Sequence, residues 1–318
     1  MKGILQNKWS VIAIAVFCSI LWGSAFPVLK ISYVEMQMAA DDIIAKIVFA
    51  GMRFLLAGLI VLLFLVFMNP SSILVSRKHF MILLILGIVQ TALQYFFFYN
   101  GLAKVSGMQG AILSSSGTFF TVLLAHFYYK NDRLSWKKVV GLLAGFSGIV
   151  IANWGQEFQL SFQWDGEGFM ILSGVTSAIA TIMAKELATG IHPIAVTGWQ
   201  LSLGSILMLL VGVPQLAEGA IVFTTFGWGL LIYSAFLSAI AFTLWYSLLK
   251  YNNAGIISMY KFIVPVAGTL LSSIFIPEEQ LNIFILLAIA MVALGIIIVN
   301  FKGREKAHLQ QNEAVGVK

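Results

Sequence analysis

The stretch that decides the fold runs from Gly107 to Asn153 and reads GMQGAILSSSGTFFTVLLAHFYYKNDRLSWKKVVGLLAGFSGIVIAN. It consists of an apolar segment up to Tyr128, a basic turn, and a second apolar segment that contains several glycines. Shifted forward by about 147 positions, it aligns without a gap on residues 254–300, and self-similarity at a long fixed offset indicates an internal repeat. Identical pairs include Leu123 with Leu270, Leu134 with Leu281, Gly148 with Gly295, and Asn153 with Asn300. The chain is therefore a duplication.

Composition places this duplication in a membrane. Apolar residues make up 60% of the chain and charged residues only 10%, whereas a soluble domain carries about 25% charged residues. A lipid bilayer requires helical runs of about 20 apolar residues, because its core has no water to satisfy the backbone. Ten such runs are predicted, at residues 10–32, 43–67, 80–101, 107–128, 136–153, 166–187, 193–214, 225–248, 254–276 and 281–301. The predicted fold class is all-α integral membrane with ten transmembrane helices.

The repeat divides the ten predicted spans into two halves. The same offset pairs Arg53 with Gln200 and Tyr99 with Tyr246, so that spans two to five match spans seven to ten. Because each half has an odd number of spans, the second half enters the membrane from the opposite side. We expect two inverted five-helix repeats, residues 1–153 and 154–301, followed by a cytoplasmic tail, residues 302–318. Inverted repeats are typical of secondary transporters, in which one half moves against the other around a central site.

The distribution of lysine and arginine predicts the orientation. Basic residues concentrate on alternate loops and at both termini, at Lys2, Lys8, Arg77, Lys78, Lys130, Arg133, Lys137, Lys138, Lys185, Lys250, Lys302, Arg304 and Lys306. Cytoplasmic loops of membrane proteins carry an excess of lysine and arginine. We therefore predict a multi-pass protein of the cell membrane, plasma or inner, with both termini in the cytoplasm.

Several short motifs resemble those of the drug/metabolite transporter superfamily, specifically its EamA-type members. They are LWGSAF at residues 21–26, Arg53-Phe54, DRLS at residues 132–135 and EQLN at residues 279–282. The resemblance covers nearly the whole chain and implies a ten-helix carrier, commonly an exporter of amino acids or other small metabolites. Members often carry a proline midway along both the fourth and the ninth span; here Pro265 is present, but the matching residue is Thr118.

Two cations lie inside predicted spans, where charge is costly and is expected to face protein or water. Arg53 is about ten residues into its span, or roughly 15 Å, and Lys261 about seven residues, or roughly 11 Å. One interpretation is that both face a central cavity, where Arg53 binds a carboxylate or phosphate as a fork and Lys261 as a point charge. The alternative is that each side chain reaches the membrane surface or bonds to helix-end carbonyls.

Uncharged residues complete the candidate substrate site. The amides of Gln94 and Gln200 and the hydroxyl of Ser114 need partners in lipid, supplied either by other helices or by a ligand. Aromatic rings could grip the apolar part of a substrate, although packed cores and interfacial belts also use them. Pro265 is a candidate gate because a proline bends a helix. The aromatic candidates are Trp22, Tyr95, Tyr99, Trp245, Tyr246 and Tyr260.

Other classes of function find little support in the sequence. No carboxylate lies in mid-span, so proton coupling through a buried acid is not supported. Ser116 and His126 lie on one predicted helix about 15 Å apart, too far for a nucleophile and its base. The acidic pair Asp41-Asp42 has no further carboxylate or histidine nearby, and nothing resembles a phosphate-binding loop. We expect neither a cofactor, a metal site nor a nucleic-acid partner.

Together these features predict a non-enzymatic secondary transporter, an exporter that works by alternating access. Its partners are the lipid bilayer and a small-molecule substrate, such as an amino acid or an organic anion, and the two intramembrane cations favour an anionic or zwitterionic one. The protein is expected to be a monomer or a homodimer. The alternatives are an intramembrane enzyme and a channel without carrier activity.

Overall fold

The computed structural model describes residues 3–105, 110, 113–152, 162–277 and 283–300. Within these ranges the chain forms helices and no strand. In chain order the main helices are α1 (Lys8–Glu35), α2 (Ile43–Met68), α3 (Arg77–Lys104), α4 (Ser116–Tyr128), α5 (Trp136–Ala152), α6 (Trp164–Gly190), α7 (Pro193–Gln215), α8 (Thr225–Tyr251), α9 (Ala254–Phe275) and α10 (Ile283–Asn300). The prediction of an all-α protein is confirmed.

Seven of these helices are long and apolar enough to cross a bilayer: α1, α2, α3, α6, α7, α8 and α9. Their limits agree with the predicted spans within a few residues. The shorter helices α4, α5 and α10 adjoin parts of the chain that fall outside the described ranges, as do the predicted span limits at residues 107, 153, 281 and 301. The predicted tail, residues 302–318, also lies outside them. A count of ten transmembrane helices therefore stays a prediction.

Polar side chains define where the long helices begin. The Asp42 carboxylate accepts from the backbone N–H of Ala45 at 2.8 Å, and the Thr224 hydroxyl accepts from that of Gly227 at 2.9 Å. Such caps satisfy N–H groups that have no partner inside the helix. His192 Nδ1 accepts from Ile194 N at 3.3 Å. Burial lowers the pKa of His192, and the nearby Lys250 lowers it further. The lowered pKa favours the neutral ring, which can accept this bond.

Two pairs of repeat counterparts run antiparallel to each other. In the pair α2 and α7, Gly212 packs against Val48 and Gly198 packs against Leu62. The residue numbers increase along α2 in the direction in which they decrease along α7. In the pair α5 and α10, Gly295 packs against Gly141 and Gly145. Glycine lets the two backbones approach closely in each pair. The helices of these two pairs therefore point in opposite directions.

The remaining helices form two equivalent groups of three. α1 packs along α8 and α9, and α6 packs along α3 and α4. In the first group, Gly23 of α1 contacts Val264 of α9; in the second, Gly174 of α6 contacts Gly117, which the offset of about 147 pairs with Val264. Gly23 and Gly174 are thus structural counterparts. The two groups face each other across the centre of the protein.

A buried ion pair fastens the turn between α4 and α5 to the start of α9. The Lys138 ammonium donates to the Asp132 carboxylate and to the Asp132 and Arg133 carbonyls, the last two at 2.8 and 3.0 Å. The other Asp132 oxygen accepts from Gly255 N at 2.7 Å, at the N-terminus of α9, where a helix favours negative charge. The contact fixes the entry of the helix that carries Lys261.

Candidate functional site

A cavity lies between the two groups of helices. Its empty volume is about 820 Å³, including the open mouth, and residues of α1, α2, α3, α6, α8 and α9 line it, together with Ser114 just before α4. Pockets between helices are common sites for small ligands. Both cations singled out in the sequence, Arg53 and Lys261, are among the lining residues.

Lys261 presents a charge that has no ionic partner in the described part of the chain. It lies on a short 3-10 stretch, Met259–Phe262, inside α9 and is half-buried. Its Nζ is 5.5 Å from the centroid of the Trp22 ring and 5.2 Å from that of the Trp245 ring. The faces of indole rings attract cations. Across the described ranges, Lys261 has no hydrogen bond and no ion pair, so these two rings are the partners of its ammonium group.

Arg53 is held by hydrogen bonds to α8 and α3. Its Nε donates to Ser238 Oγ at 3.0 Å and to the Ser234 carbonyl at 3.2 Å, and one terminal nitrogen donates to the Tyr99 hydroxyl at 2.9 Å. Arg53 is 2% exposed, so these bonds replace most of its hydration. The side chain therefore ties α2 to α8 and, through Tyr99, to α3. Its geometry is that of a bridge between helices that also borders the cavity.

The amide groups of Gln90 and Gln94 face the cavity from α3. Gln90 lies in a π-helical turn, Gly87–Leu93, and its amide nitrogen donates to the side-chain oxygen of Gln94. Turns of this kind are rare and often occur at functional sites. Across the cavity, the indole N–H groups of Trp22 and Trp245 and the Tyr246 hydroxyl are buried without a hydrogen-bond partner in the described part of the chain. These groups are hydrogen-bond donors beside the cavity.

Three hydroxyl residues of α6 also line the cavity, and they are absent from the sequence-based candidates. Ser173, Ser177 and Thr181 are spaced four residues apart and so share one face of the helix. This spacing was the available signal. It was easily overlooked, because serine and threonine in membrane helices commonly serve packing.

The structure separates the predicted site residues into two sets. Those that line the cavity are Trp22, Arg53, Gln94, Ser114 and Lys261. Those that do not are Tyr99, Gln200, Tyr260 and Pro265. Tyr99 binds Arg53 from behind the cavity wall, and Gln200 accepts from the Thr91 hydroxyl at 2.8 Å. Tyr260 and Pro265 are buried in α9.

The described ranges contain no group of three or more His, Cys, Asp or Glu side chains that could hold a metal ion. The polar groups of the cavity are instead one ammonium, one guanidinium, amides, hydroxyls and indole N–H groups. The ammonium, guanidinium and indole groups only donate hydrogen bonds, whereas the amides and hydroxyls both donate and accept. The site is suited to binding a ligand with acceptor groups.

The model of the EamA-like transporter family matches residues 9–154 and again residues 164–301. The chain belongs to the EamA-like transporter family. The resemblance seen in the short motifs is thereby confirmed, and the protein is a multi-pass transmembrane transporter of this family.

Relatives from distant organisms cover most of the EamA-like chain. The uncharacterized transporter YvbV of Bacillus subtilis is 26% identical over 307 residues, which cover 95% of this chain and 93% of the relative. An uncharacterized transporter of Archaeoglobus fulgidus is 26% identical over 306 residues, covering 92% and 99%. A WAT1-related chloroplastic protein of Arabidopsis thaliana is 24% identical over 309 residues, covering 92% and 69%.

A crystal structure of another protein has the same fold as this EamA-like chain. It superposes with a TM-score of 0.74 at 16% sequence identity and covers 92% of this chain and 97% of its own. At this identity the match concerns the fold alone.

Proposed function

We propose that this protein is a secondary carrier that moves small anionic or zwitterionic metabolites, such as amino acids or organic anions, out of the cell. Two inverted halves of five helices each, residues 1–153 and 154–301, alternate in opening the central cavity to either side of the cell membrane. Ten spans with both termini in the cytoplasm complete the arrangement. The antiparallel counterpart pairs α2 with α7 and α5 with α10 support the inversion.

The observation that carries the proposal is the state of Lys261. A half-buried ammonium group without an anionic partner is costly, and two indole faces compensate for only part of that cost. A carboxylate of the cargo supplies the missing partner. Charge at this depth is retained for such a role. The neighbouring indole N–H groups of Trp22 and Trp245 can then donate to the same anion.

A carrier explains these features better than a channel or an intramembrane enzyme. The cavity combines a charged group with aromatic rings in one site between helices, which favours binding of a whole small molecule over free passage of ions. The relatives of this chain that carry the name transporter agree with that choice. Saturable flux separates a carrier from a channel, and turnover of a covalent bond would reveal an enzyme.

The test compares the metabolites in the medium of three cultures. Two overproduce the wild type or Lys261→Ala, and the third carries an empty vector. Lys250→Ala, at the end of α8 and outside the cavity, is the matched control for loss of one lysine. We expect one amino acid or organic anion to accumulate outside cells with the wild type and with Lys250→Ala, but not with Lys261→Ala. Equal accumulation with Lys261→Ala, at equal membrane levels, would exclude the proposed site. If the metabolites are the same in the media of wild-type, Lys261→Ala and empty-vector cells, export is excluded, and uptake would be measured next.

A further inference from the structure

The two faces of the cavity are repeat counterparts with different chemistry. One wall is formed by α1, α8 and α9, and the other by α6, α3 and α4, which are their equivalents in the other repeat. We name them the aromatic wall (Trp22, Phe26, Phe242, Trp245, Tyr246 and Lys261) and the polar wall (Gln90, Gln94, Ser114, Ser173, Ser177 and Thr181). Tyr95 and Phe98 of α3 lie beside the polar residues and line the cavity as well.

Lys261 and Trp22 of the aromatic wall have serine counterparts on the polar wall, and Trp245 has a phenylalanine counterpart. The repeat offset of about 147 pairs Lys261 with Ser114 and Trp245 with Phe98. The contacts of Gly23 and Gly174 make Trp22 the counterpart of Ser173, since each immediately precedes its glycine. A duplicated cavity would begin with identical walls. In this chain the cation and both indoles lie on one wall only.

The polar wall has its own hydrogen-bonding groups that the aromatic wall lacks. The offset pairs Gln90 with Leu237 and Gln94 with Ala241, so the amide pair has no equivalent on α8. The Ser177 side chain borders the cavity, and in the described part of the chain its hydroxyl makes no hydrogen bond. Polar groups in a lipid environment need partners. A ligand between the walls is positioned to supply one.

Arg53 joins the two walls where they meet. It donates to Ser238 on α8, which belongs to the aromatic side, and to Tyr99 on α3, which belongs to the polar side. The guanidinium therefore fixes the position of one wall relative to the other. Because its hydrogen bonds are already directed to the protein, Lys261 is the cation that binds the cargo anion. This arrangement orients any molecule that lies across the cavity.

We infer that the cargo is a monocarboxylate with two unlike sides: its carboxylate binds Lys261 at the aromatic wall, and its hydroxyl or amino groups bind the amides and hydroxyls of the polar wall. The inference rests on the proposed function and narrows its substrate class. An acid with a purely hydrocarbon body satisfies Lys261 but leaves Gln90, Gln94 and Ser177 facing apolar atoms. Binding is weaker when the remaining hydrogen-bonding groups of these side chains meet only apolar atoms.

The test compares three acids of six carbons each: hexanoate, norleucine and gluconate. They share one carboxylate and differ in carrying no further polar group, one amino group or five hydroxyls. Their binding to the full-length chain in lipid nanodiscs is followed by tryptophan fluorescence, to which Trp22 and Trp245 contribute, and by thermal unfolding. We expect norleucine or gluconate to bind at least about tenfold more tightly than hexanoate.

Two variants separate the walls. The double variant Ser173→Ala, Ser177→Ala should reduce the preference over hexanoate to less than about threefold while hexanoate itself still binds. Ser273→Ala is the matched control, because among the described residues its hydroxyl bonds only to the Leu270 carbonyl of its own helix, at 2.8 Å, and Ser273 does not border the cavity. Lys261→Met should weaken binding of all three acids.

The outcomes distinguish this inference from the proposed function. Equal binding of all three acids to the wild type, with loss in Lys261→Met, leaves an anion carrier in place and overturns the two-sided cargo. A preference for hydroxyl or amino groups that survives the double serine variant also overturns it. If none of the acids binds, or if Lys261→Met binds them as the wild type does, the proposed anion site itself is contradicted, and this inference with it.

Discussion

The ammonium nitrogen of Lys261 lies 5.2 Å from the centroid of the Trp245 ring, and their repeat counterparts are Ser114 and Phe98. The contact between a cation and an indole face therefore exists on one wall of a duplicated cavity and is absent from the other. Because Trp22 approaches the same ammonium from α1, three helices of one wall converge on this charge. The asymmetry is what a carrier needs to bind an asymmetric molecule in one orientation.

Replacing Lys261 should stabilise the empty protein while it abolishes transport. Lys261→Met removes an unpaired charge and keeps an unbranched side chain between the two indoles, so we expect unfolding to become more difficult by about 1 kcal/mol or more. Thermal unfolding in detergent, without added anion, measures this. Lys250→Met is the control, since Lys250 lies at the end of α8 and its Nζ is 3.5 Å from the Ile191 carbonyl. A loss of stability in Lys261→Met would mean that the lysine has a structural partner.

Removing Arg53 should destabilise the fold. Arg53→Met deletes three hydrogen bonds and leaves the buried Ser238 hydroxyl oxygen without a donor, whereas the Ser234 carbonyl still accepts from that hydroxyl at 2.9 Å. We expect a cost of about 3 kcal/mol. Tyr99→Phe deletes one of the three and should cost about 1–2 kcal/mol. In the double variant the Tyr99→Phe cost should nearly disappear, because the two side chains share that bond. Additive costs in a double-mutant cycle would contradict the bridge between α2 and α3.

The ion pair between Asp132 and Lys138 should be far more sensitive to single changes than to a double one. The two side chains are 1% and 7% exposed, so removing either leaves a buried charge, at a cost of about 3–5 kcal/mol. Asp132→Asn combined with Lys138→Met removes both charges and should be less harmful than either alone. Unfolding temperatures of the three variants test this order. Equal and small effects would show that water reaches the pair.

A methyl group at Gly23 should interfere with the contact between α1 and α9. A Cβ there would lie 2.6 Å from the Ala267 Cβ and 2.9 Å from the Gly268 nitrogen, distances that force the helices apart. We expect Gly23→Ala to destabilise the protein by about 1–3 kcal/mol. Gly229→Ala on α8 is the control, because a Cβ at that position meets nothing within 4 Å. It should be neutral or slightly stabilising, since alanine favours a helix. Equal stability of the two variants would contradict the close packing.

Sequence reasoning predicted the helices well because apolar runs in lipid leave the backbone few alternatives. The second predicted span, 43–67, corresponds to Ile43–Met68, and the sixth, 166–187, to Trp164–Gly190. The depth of Arg53 and Lys261 inside their predicted spans identified them as the intramembrane cations. Both border the cavity.

The rotation of each helix was harder to predict. Helices in a membrane are apolar on several faces, so periodicity does not show which side meets the cavity. Tyr260 and Gln200 were therefore chosen by type and repeat position, and both lie away from the cavity. The hydroxyl residues of α6 were missed for a different reason. Their four-residue spacing indicated one helix face, but serine and threonine are residue types that commonly serve helix packing. The lack of an ionic partner for Lys261 depends on tertiary contacts, which the sequence does not display.

The most direct measurement is uptake into proteoliposomes of the acid that cells with the wild-type protein release, with equal amounts of wild type, Lys261→Ala and Lys261→Arg reconstituted. Binding of the cargo anion by Lys261 predicts saturable uptake by the wild type, a rate at least about tenfold lower for Lys261→Ala, and partial recovery for Lys261→Arg, which restores the charge. Equal, saturable uptake by the wild type and Lys261→Ala would contradict it.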